Sequence, residues 1–135
     1  MKIKWSDDLK VGDKEIDTHH EAFFMKARRI VVACRLSRGG REIEETVAFL
    51  VDYARYHFSA EEERMQALGY PYTETHKNQH IGFLSRLEGL QTKLHQTGDK
   101  EAVARDVANF AVDWFVHHIK NSDHPLADYI KAQAS

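Results

Sequence analysis

Several features that define common functional classes are missing from this 135-residue sequence. It has a single cysteine, Cys34, so no disulfide can form within the chain, and a reducing compartment fits that count. The formal net charge is −2 with histidines neutral, which gives no electrostatic case for binding nucleic acid. No apolar run approaches the roughly 20 residues of a membrane helix, and the amino terminus lacks the apolar core of a secretory signal. We therefore expect a cytoplasmic protein with neither nucleic acid nor a membrane as a partner.

The sequence also lacks β-like alternation, low-complexity segments and any linker, so we expect one domain over residues 1–135. Apolar residues recur instead at spacings of three and four in long stretches, which indicates amphipathic helices. The first three predicted helices span residues 17–36, 42–67 and 73–95. The fourth starts at about residue 99 and ends between residues 121 and 123, and the last spans residues 126–132. Four of them are about 20 residues long and are joined by short turns, which predicts an all-α, up-down-up-down antiparallel four-helix bundle.

The amino-terminal end of this bundle is predicted from cap and breaker residues. Residues 1–16 are expected to form an extended arm, with Trp5 as a plug over one end or side of the core. Asp17 or Thr18 would cap the first helix, because either side chain can accept a hydrogen bond from a free backbone N–H.

Histidine is the compositional oddity, with nine in the chain. It is the commonest metal ligand in proteins and the side chain that titrates near neutral pH. Each of the four long predicted helices has histidine on its apolar stripe, and in an antiparallel bundle these positions fall towards the same end. With the accompanying carboxylates, the set comprises His20, His57, Glu61, His76, His80, His118 and Asp123.

If these seven side chains are buried together, a cation is needed to compensate their charge and polarity. A buried carboxylate is costly unless it is paired or bound to a metal, and a buried imidazole needs its hydrogen bonds satisfied. Seven such groups facing one core are hard to satisfy with each other, and they are too many for one ordinary ion. Imidazole suits iron, copper, zinc and nickel, and a carboxylate can bridge two metals. The composition of the set therefore suits two ions that share carboxylates.

The spacing of the candidate ligands adds detail. Two pairs are four residues apart, which places both members on one helix face, and they are His57 with Glu61 and His76 with His80. His118 and Asp123 are five apart, which separates them by about 140° on a regular helix. We predict a distorted turn between Lys120 and Asp123. Pro125 favours it, because proline disfavours helix at His124 and can open a new helix in its own first turn.

Taken together, the spacings resemble the ligand pattern of the hemerythrins, and among them the single-domain bacteriohemerythrins, from Trp5 to the terminal helix. The matching segments are Ile16-Asp17-Thr18-His19-His20, His57-x-x-x-Glu61, His76-x-x-x-His80 and His118-x-x-x-x-Asp123. The resemblance implies a four-helix bundle around a non-haem di-iron centre that binds dioxygen reversibly.

The resemblance also divides the ligands between two non-haem iron ions. The ligands of one iron would be His76, His80 and His118. The second iron would keep an open position for end-on dioxygen, and its ligands would be His20 and His57. The bridge between the irons would consist of an oxo or hydroxo group and the carboxylates of Glu61 and Asp123.

Two positions depart from the family pattern. The residue before His20 is often glutamine in the family and is His19 here, and the residue before His118 is also a histidine, His117. Each offers an alternative donor. Both lie about 100° from the apolar stripes, which favours His20 and His118 as the inward-facing residues.

The function expected from the resemblance is reversible dioxygen binding for storage, delivery or sensing, without enzymatic turnover. An unidentified reductase or an oxygen-consuming protein would be its partner. Oxygen-activating bundle enzymes use four carboxylates with Glu-x-x-His motifs, and this sequence has no such motif. Two alternatives stay open: a di-iron enzyme acting on peroxide or nitric oxide, and an oxygen- or iron-sensing signalling module.

The remaining polar residues receive ordinary structural interpretations. Glu62 and Glu63 are expected on a solvated helix face. His95 and His124 are expected at the surface or in loops. Cys34 is interpreted as a buried small apolar residue and not as a redox thiol.

Overall fold

The computed structural model describes residues 3–134, which form five α-helices. They are α1 (Lys14–Arg35), α2 (Gly40–Ala67), α3 (Thr73–Gln96), α4 (Lys100–His118) and α5 (His124–Ala134). A 3-10 turn (Asp7–Leu9) precedes α1, and a π-helical turn (Ile119–Asp123), called the π turn below, joins α4 to α5. Both α1 and α3 pack against α2 and α4. The predicted four-helix bundle with an amino-terminal arm and a short last helix is confirmed.

Helix α1 begins earlier than the sequence predicted. Its N-cap is Asp13, whose carboxylate accepts from the backbone N–H of Ile16 at 3.1 Å, so the prediction of Asp17 or Thr18 as the cap was wrong. Asp17 lies inside the first turn, where it accepts from the backbone N–H of Val11 at 2.8 Å. The aspartate that resembled a cap therefore fastens the arm to the helix instead.

The arm covers one side of the bundle. Ile3, Leu9 and Val11 are buried, so the arm adds apolar contacts to the core. The ring of Trp5 meets Phe24 edge-on with centroids 5.5 Å apart, and its centroid lies 6.4 Å from that of His20. Trp5 is thus the predicted plug, and it covers the end of the core where the candidate ligands lie.

The junction after α4 corrects one expectation. The sequence predicted that the fourth helix ends around residues 121–123, with helix disfavoured at His124. Instead α4 passes into the π turn after His118, and the chain stays helical at His124, with φ −62° and ψ −49°. The backbone N–H of His124 donates to the carbonyl of Ile119, five residues earlier, which is the π-helical pattern. Pro125 then lies in the first turn of α5, where a missing N–H is tolerated. The proline opens α5 without interrupting the helical path.

Aromatic side chains fill the core next to the candidate ligands. Phe23 and Phe115 stack with ring centroids 3.9 Å apart, and Phe83 is equally buried. Fully burying one such side chain contributes about 1.5–3 kcal/mol. Cys34 is buried as expected, and burial raises the pKa of its thiol. Among residues 3–134, no helix is both long and apolar enough to cross a bilayer.

An ion pair joins the start of α1 to the end of α2, and it yields a stability prediction. Arg64 donates to both carboxylate oxygens of Asp13, at 2.8 and 3.0 Å. Asp13→Asn should lower the free energy of unfolding by about 1 kcal/mol, because it removes this charge but leaves an oxygen that can cap α1. Urea unfolding followed by circular dichroism would measure the change.

The pH dependence of the stability lost in Asp13→Asn follows from the pKa of Asp13, which the Arg64 guanidinium lowers. A depressed pKa stabilises the fold above the ordinary carboxyl pKa, and the contribution is lost only as the pH falls through the lowered value. The deficit should therefore be equal at about pH 8 and about pH 5. Asp106→Asn, at an exposed position of α4, is the control and should change stability by less than about 0.5 kcal/mol. Equal losses in both variants would contradict the prediction.

Candidate metal centre

All seven predicted residues meet at one end of the bundle. His20 lies near the start of α1, His57 and Glu61 lie near the end of α2, and the remaining residues belong to α3, α4 and the π turn. Because consecutive helices are antiparallel, these positions fall at the same height. None of the seven is more than 5% exposed. The structure thus places seven polar or ionisable side chains inside a core that is otherwise apolar.

The π turn brings the last pair together. His118 is the final residue of α4, and Asp123 is the final residue of the π turn. The wider turn places Oδ1 of Asp123 3.2 Å from Nε2 of His118, although five residues separate the two positions. The distorted turn predicted between Lys120 and Asp123 is confirmed.

The side chains form two donor groups in which every candidate ligand atom lies within 4.8 Å of the others. The three-histidine group comprises His76, His80, His118, Glu61 and Asp123. The two-histidine group comprises His20, His57, Glu61 and Asp123. Both carboxylates belong to both groups, so the arrangement is that of two adjacent positions with shared anionic donors.

Each carboxylate points one oxygen into each group. Oε1 of Glu61 is 2.7 Å from Nε2 of His76, whereas Oε2 is 3.3 Å from Nε2 of His57. Oδ1 of Asp123 faces His76 at 3.0 Å, and Oδ2 faces Nε2 of His20 at 2.9 Å. This is the orientation that a carboxylate bridging two cations requires.

The buried donor atoms fit a metal better than they fit one another. Within residues 3–134, both oxygens of Glu61 and of Asp123 lack a hydrogen-bond partner of acceptable geometry, as do Nε2 of His20 and of His57. The short N–O distances therefore do not represent proper hydrogen bonds. Nε2 of His118 also lies 3.1 Å from Nε2 of His76 and of His80. Nitrogen and oxygen lone pairs that converge on common points in this way are typical of a metal-binding site.

The electrostatics of the site also call for positive charge. Burial and the neighbouring Asp123 carboxylate raise the pKa of Glu61, but the facing imidazoles, that of His57 first, hold it well below its usual range. Burial opposes a charge on His76, yet Asp123 and Glu61 raise its pKa to about 9. The ionised carboxylates thus hold a proton on His76 unless a cation takes its place.

Comparison with known proteins agrees with this geometry. The profile of the hemerythrin HHE cation binding domain matches residues 11–130. The chain belongs to the hemerythrin family. A bacteriohemerythrin of Stenotrophomonas maltophilia is 31% identical over 130 residues, which cover 96% of this chain and 82% of the relative. A bacteriohemerythrin of Clostridium acetobutylicum is 27% identical over 130 residues, covering 92% and 98% of the two chains. Myohemerythrin-1 of Phascolopsis gouldii is 29% identical over 119 residues, covering 88% and 87%.

The resemblance inferred from the ligand spacings is therefore confirmed over nearly the whole chain. Hemerythrins bind non-haem iron, and the two donor groups provide nitrogen and oxygen ligands that suit a metal of this kind.

Glu62 is a residue of the site that sequence reasoning missed. It was expected on a solvated face, but its carboxylate accepts from Nδ1–H of His80 at 2.8 Å. With the proton on Nδ1, the neutral imidazole presents a lone pair at Nε2, towards the other donors. A carboxylate behind a histidine fixes the tautomer and orientation that a metal ligand needs. Glu63, the other residue assigned to the solvated face, is exposed as expected.

The two additional histidines lie outside the donor groups. His19 places Nδ1 3.2 Å from Nδ1 of His57. His117 is exposed and contacts the backbone carbonyl of Asp113 through Nδ1 at 2.9 Å. As expected, His20 and His118 are the members of each pair that face inward. His19 supports His57 from behind, on the side remote from the carboxylates.

Aromatic rings hold several of the imidazoles in place. Phe58 stacks on His80 with centroids 3.8 Å apart, and Trp114 stacks on His118 at 4.3 Å. On the two-histidine side, the ring of Phe115 meets His20 edge-on with centroids 5.8 Å apart. These apolar walls limit rotation of the imidazoles and exclude water from the donor atoms.

The π turn leads to a deletion test. It contains one residue more than an α-helical turn, so removal of the exposed Lys120 leaves His118 and Asp123 four apart, or about 40° apart on a regular helix. The deletion should therefore retain bound iron and far-UV helicity. Removal of the exposed Asn78, between His76 and His80 in regular α3, is the contrast, because it rotates the rest of the helix by about 100°.

Iron per chain and circular dichroism would measure both deletion variants. The Asn78 deletion is expected to lose iron. A similar loss after deletion of Lys120 would show that the π-helical geometry itself, and not the helical register, places Asp123.

The contact between Glu62 and His80 yields a second test. Glu62→Ala should weaken iron retention by about 10- to 100-fold, because His80 loses the acceptor that orients it. Transfer of iron from the reduced protein to a coloured chelator would measure this. Glu62→Gln keeps a neutral acceptor and should fall between wild type and Glu62→Ala. Glu63→Ala is the matched control, and retention equal to that of Glu62→Ala would contradict the assignment.

Proposed function

We propose that this protein binds dioxygen reversibly at a non-haem di-iron centre formed by the two donor groups. Hemerythrin family membership supports the reaction, and the observation that carries the proposal is that Glu61 and Asp123 each direct one oxygen into each group. Two bound iron ions, bridged by an oxo or hydroxo group together with these carboxylates, would supply the electrons for reversible uptake of dioxygen.

The ligand assignment follows the two groups. The three-histidine group would hold one iron through His76, His80 and His118. The two-histidine group would hold the other through His20 and His57. The second group offers one protein donor fewer, so we assign dioxygen to that side.

The chain's own residues keep the site selective for a small neutral ligand. His20 and His57 are buried, and Phe115 and Trp5 lie against His20, so water and charged species are excluded there. The ionised carboxylates balance the positive charge that the site attracts. Glu62 and His19 fix the imidazoles of His80 and His57 from behind, which limits reorganisation when dioxygen enters or leaves.

The proposed role is storage, delivery or sensing of oxygen by one cytoplasmic domain, with no catalytic turnover. The donor set supports a carrier, because it contains two carboxylates among seven side chains, whereas oxygen-activating bundle enzymes use four. Fewer anionic donors stabilise high oxidation states less. A reductase that restores the reduced centre, or a protein that consumes the oxygen, is the expected partner.

Iron analysis and an oxygen titration test the proposal. The protein should contain two irons per chain, and its reduced form should change its absorption spectrum on exposure to oxygen and recover under vacuum. Glu61→Ala is the negative control, since it removes a donor from both groups and should lower iron content and thermal stability together. One iron per chain, or irreversible bleaching, would refute the proposal. Sustained turnover of peroxide or nitric oxide, faster than oxygen release, would favour an enzyme instead.

A further inference from the structure

The outer face of α1 and α2 carries most of the large apolar side chains that the structure leaves exposed. Seven such side chains are found among residues 3–134, and five belong to α1, its C-cap or α2: Met25, Val32, Leu36, Phe49 and Tyr56. Single exposed apolar residues are ordinary, but Met25, Val32 and Phe49 line one groove between adjoining helices, which is typical of an interaction surface. None of the five belongs to the metal centre.

A groove of about 510 Å³ runs along this face. Its lining, called the α1/α2 groove below, comprises Met25, Arg28, Arg29 and Val32 of α1, Ala33 beneath them, Arg38 of the connecting loop, and Glu42, Thr46 and Phe49 of α2. The lining residues recur at spacings of three and four on each helix. A groove between two helices with apolar side chains at this spacing is a shape into which the apolar face of a third helix fits.

The charge of the groove indicates what kind of helix it accepts. Three arginines and one carboxylate line it, so its net charge is +2, in a chain whose net charge is −2. Arg38 is paired with Glu42 at 2.9 Å. Arg28 and Arg29 are exposed, and neither forms an ion pair within the described part of the chain. Two guanidinium groups beside an apolar groove therefore remain available to carboxylates of a partner.

We propose that the α1/α2 groove is a docking site for an acidic amphipathic helix of another protein. Apolar side chains of that helix would cover Met25, Val32 and Phe49, and its carboxylates would pair with Arg28 and Arg29. A second copy of this chain is a poor occupant, because a two-fold contact through this face brings together two grooves that each have a net charge of +2. The proposal does not depend on the chemistry of the metal centre.

Two synthetic peptides test this assignment with the iron-loaded protein. Both are fluorescent helices of roughly 18 residues, or about five turns, with leucine at the same three- and four-residue spacing. One has glutamate and the other lysine at the flanking positions. Fluorescence anisotropy should show that the acidic peptide binds at least about tenfold more tightly, and that added salt reduces the difference.

Charge and apolar variants then locate the binding. Arg28→Glu/Arg29→Glu should reverse the preference between the peptides. The control Lys93→Glu/Arg105→Glu changes the net charge by the same amount but lies on α3 and α4, so it should not reverse the preference. Phe49→Ser should weaken binding of the acidic peptide about tenfold. Its matched control is Ile81→Ser on α3, since Phe49 and Ile81 are both 61% exposed. Unchanged circular dichroism and iron content would show that each variant is folded.

Three results would overturn the proposal. The first is equal affinity for the acidic and basic peptides. The second is equal weakening by Phe49→Ser and Ile81→Ser. The third is a dimer in analytical ultracentrifugation that Phe49→Ser abolishes, which would assign the groove to a second copy of this chain.

Discussion

Two ionised carboxylates lie in the interior of the bundle, and within the described residues neither has a hydrogen bond of acceptable geometry. Removing such charges from water is strongly unfavourable unless other charges compensate them. Glu61 and Asp123 are therefore stable only because five imidazoles surround them and leave room for cations. The same constraint explains the direction of the pKa shifts, since the carboxylates remain ionised and His76 takes up a proton in their field.

Other parts of the fold position the groups around these buried carboxylates. The amino-terminal arm places Trp5 beside His20, and Phe58 and Trp114 hold two imidazoles by stacking. Glu62 extends the network by one more carboxylate at the edge of the buried region, where partial contact with solvent reduces the desolvation cost of its charge. The chain thus keeps two carboxylates at the centre of the site and a third behind His80, each adjacent to an imidazole. The apolar shell strengthens these interactions by lowering the local dielectric constant.

Much of the fold and of the candidate site could be predicted from the sequence, because helical periodicity places a residue on a face before any tertiary contact is known. His57 and Glu61 could be assigned to the core because they occupy apolar positions of one stripe. Glu62 could not, since its position on that helix is ordinary and its role depends on where α3 places His80. The sequence favoured Asp17 or Thr18 as the cap of α1, and only the folded chain shows that Asp13 takes this role while Asp17 holds the arm. Pairwise tertiary contacts of this kind leave no periodic signal.

The π turn has a consequence for how related sequences are aligned. Because it absorbs one residue, chains with three or four residues between the last histidine and the last aspartate could place both side chains at the same point. Such chains would differ by a one-residue gap in an alignment, yet their donor atoms would superimpose and the helix beyond the gap would keep its orientation. The gap would then overstate how much the site itself differs between the two chains.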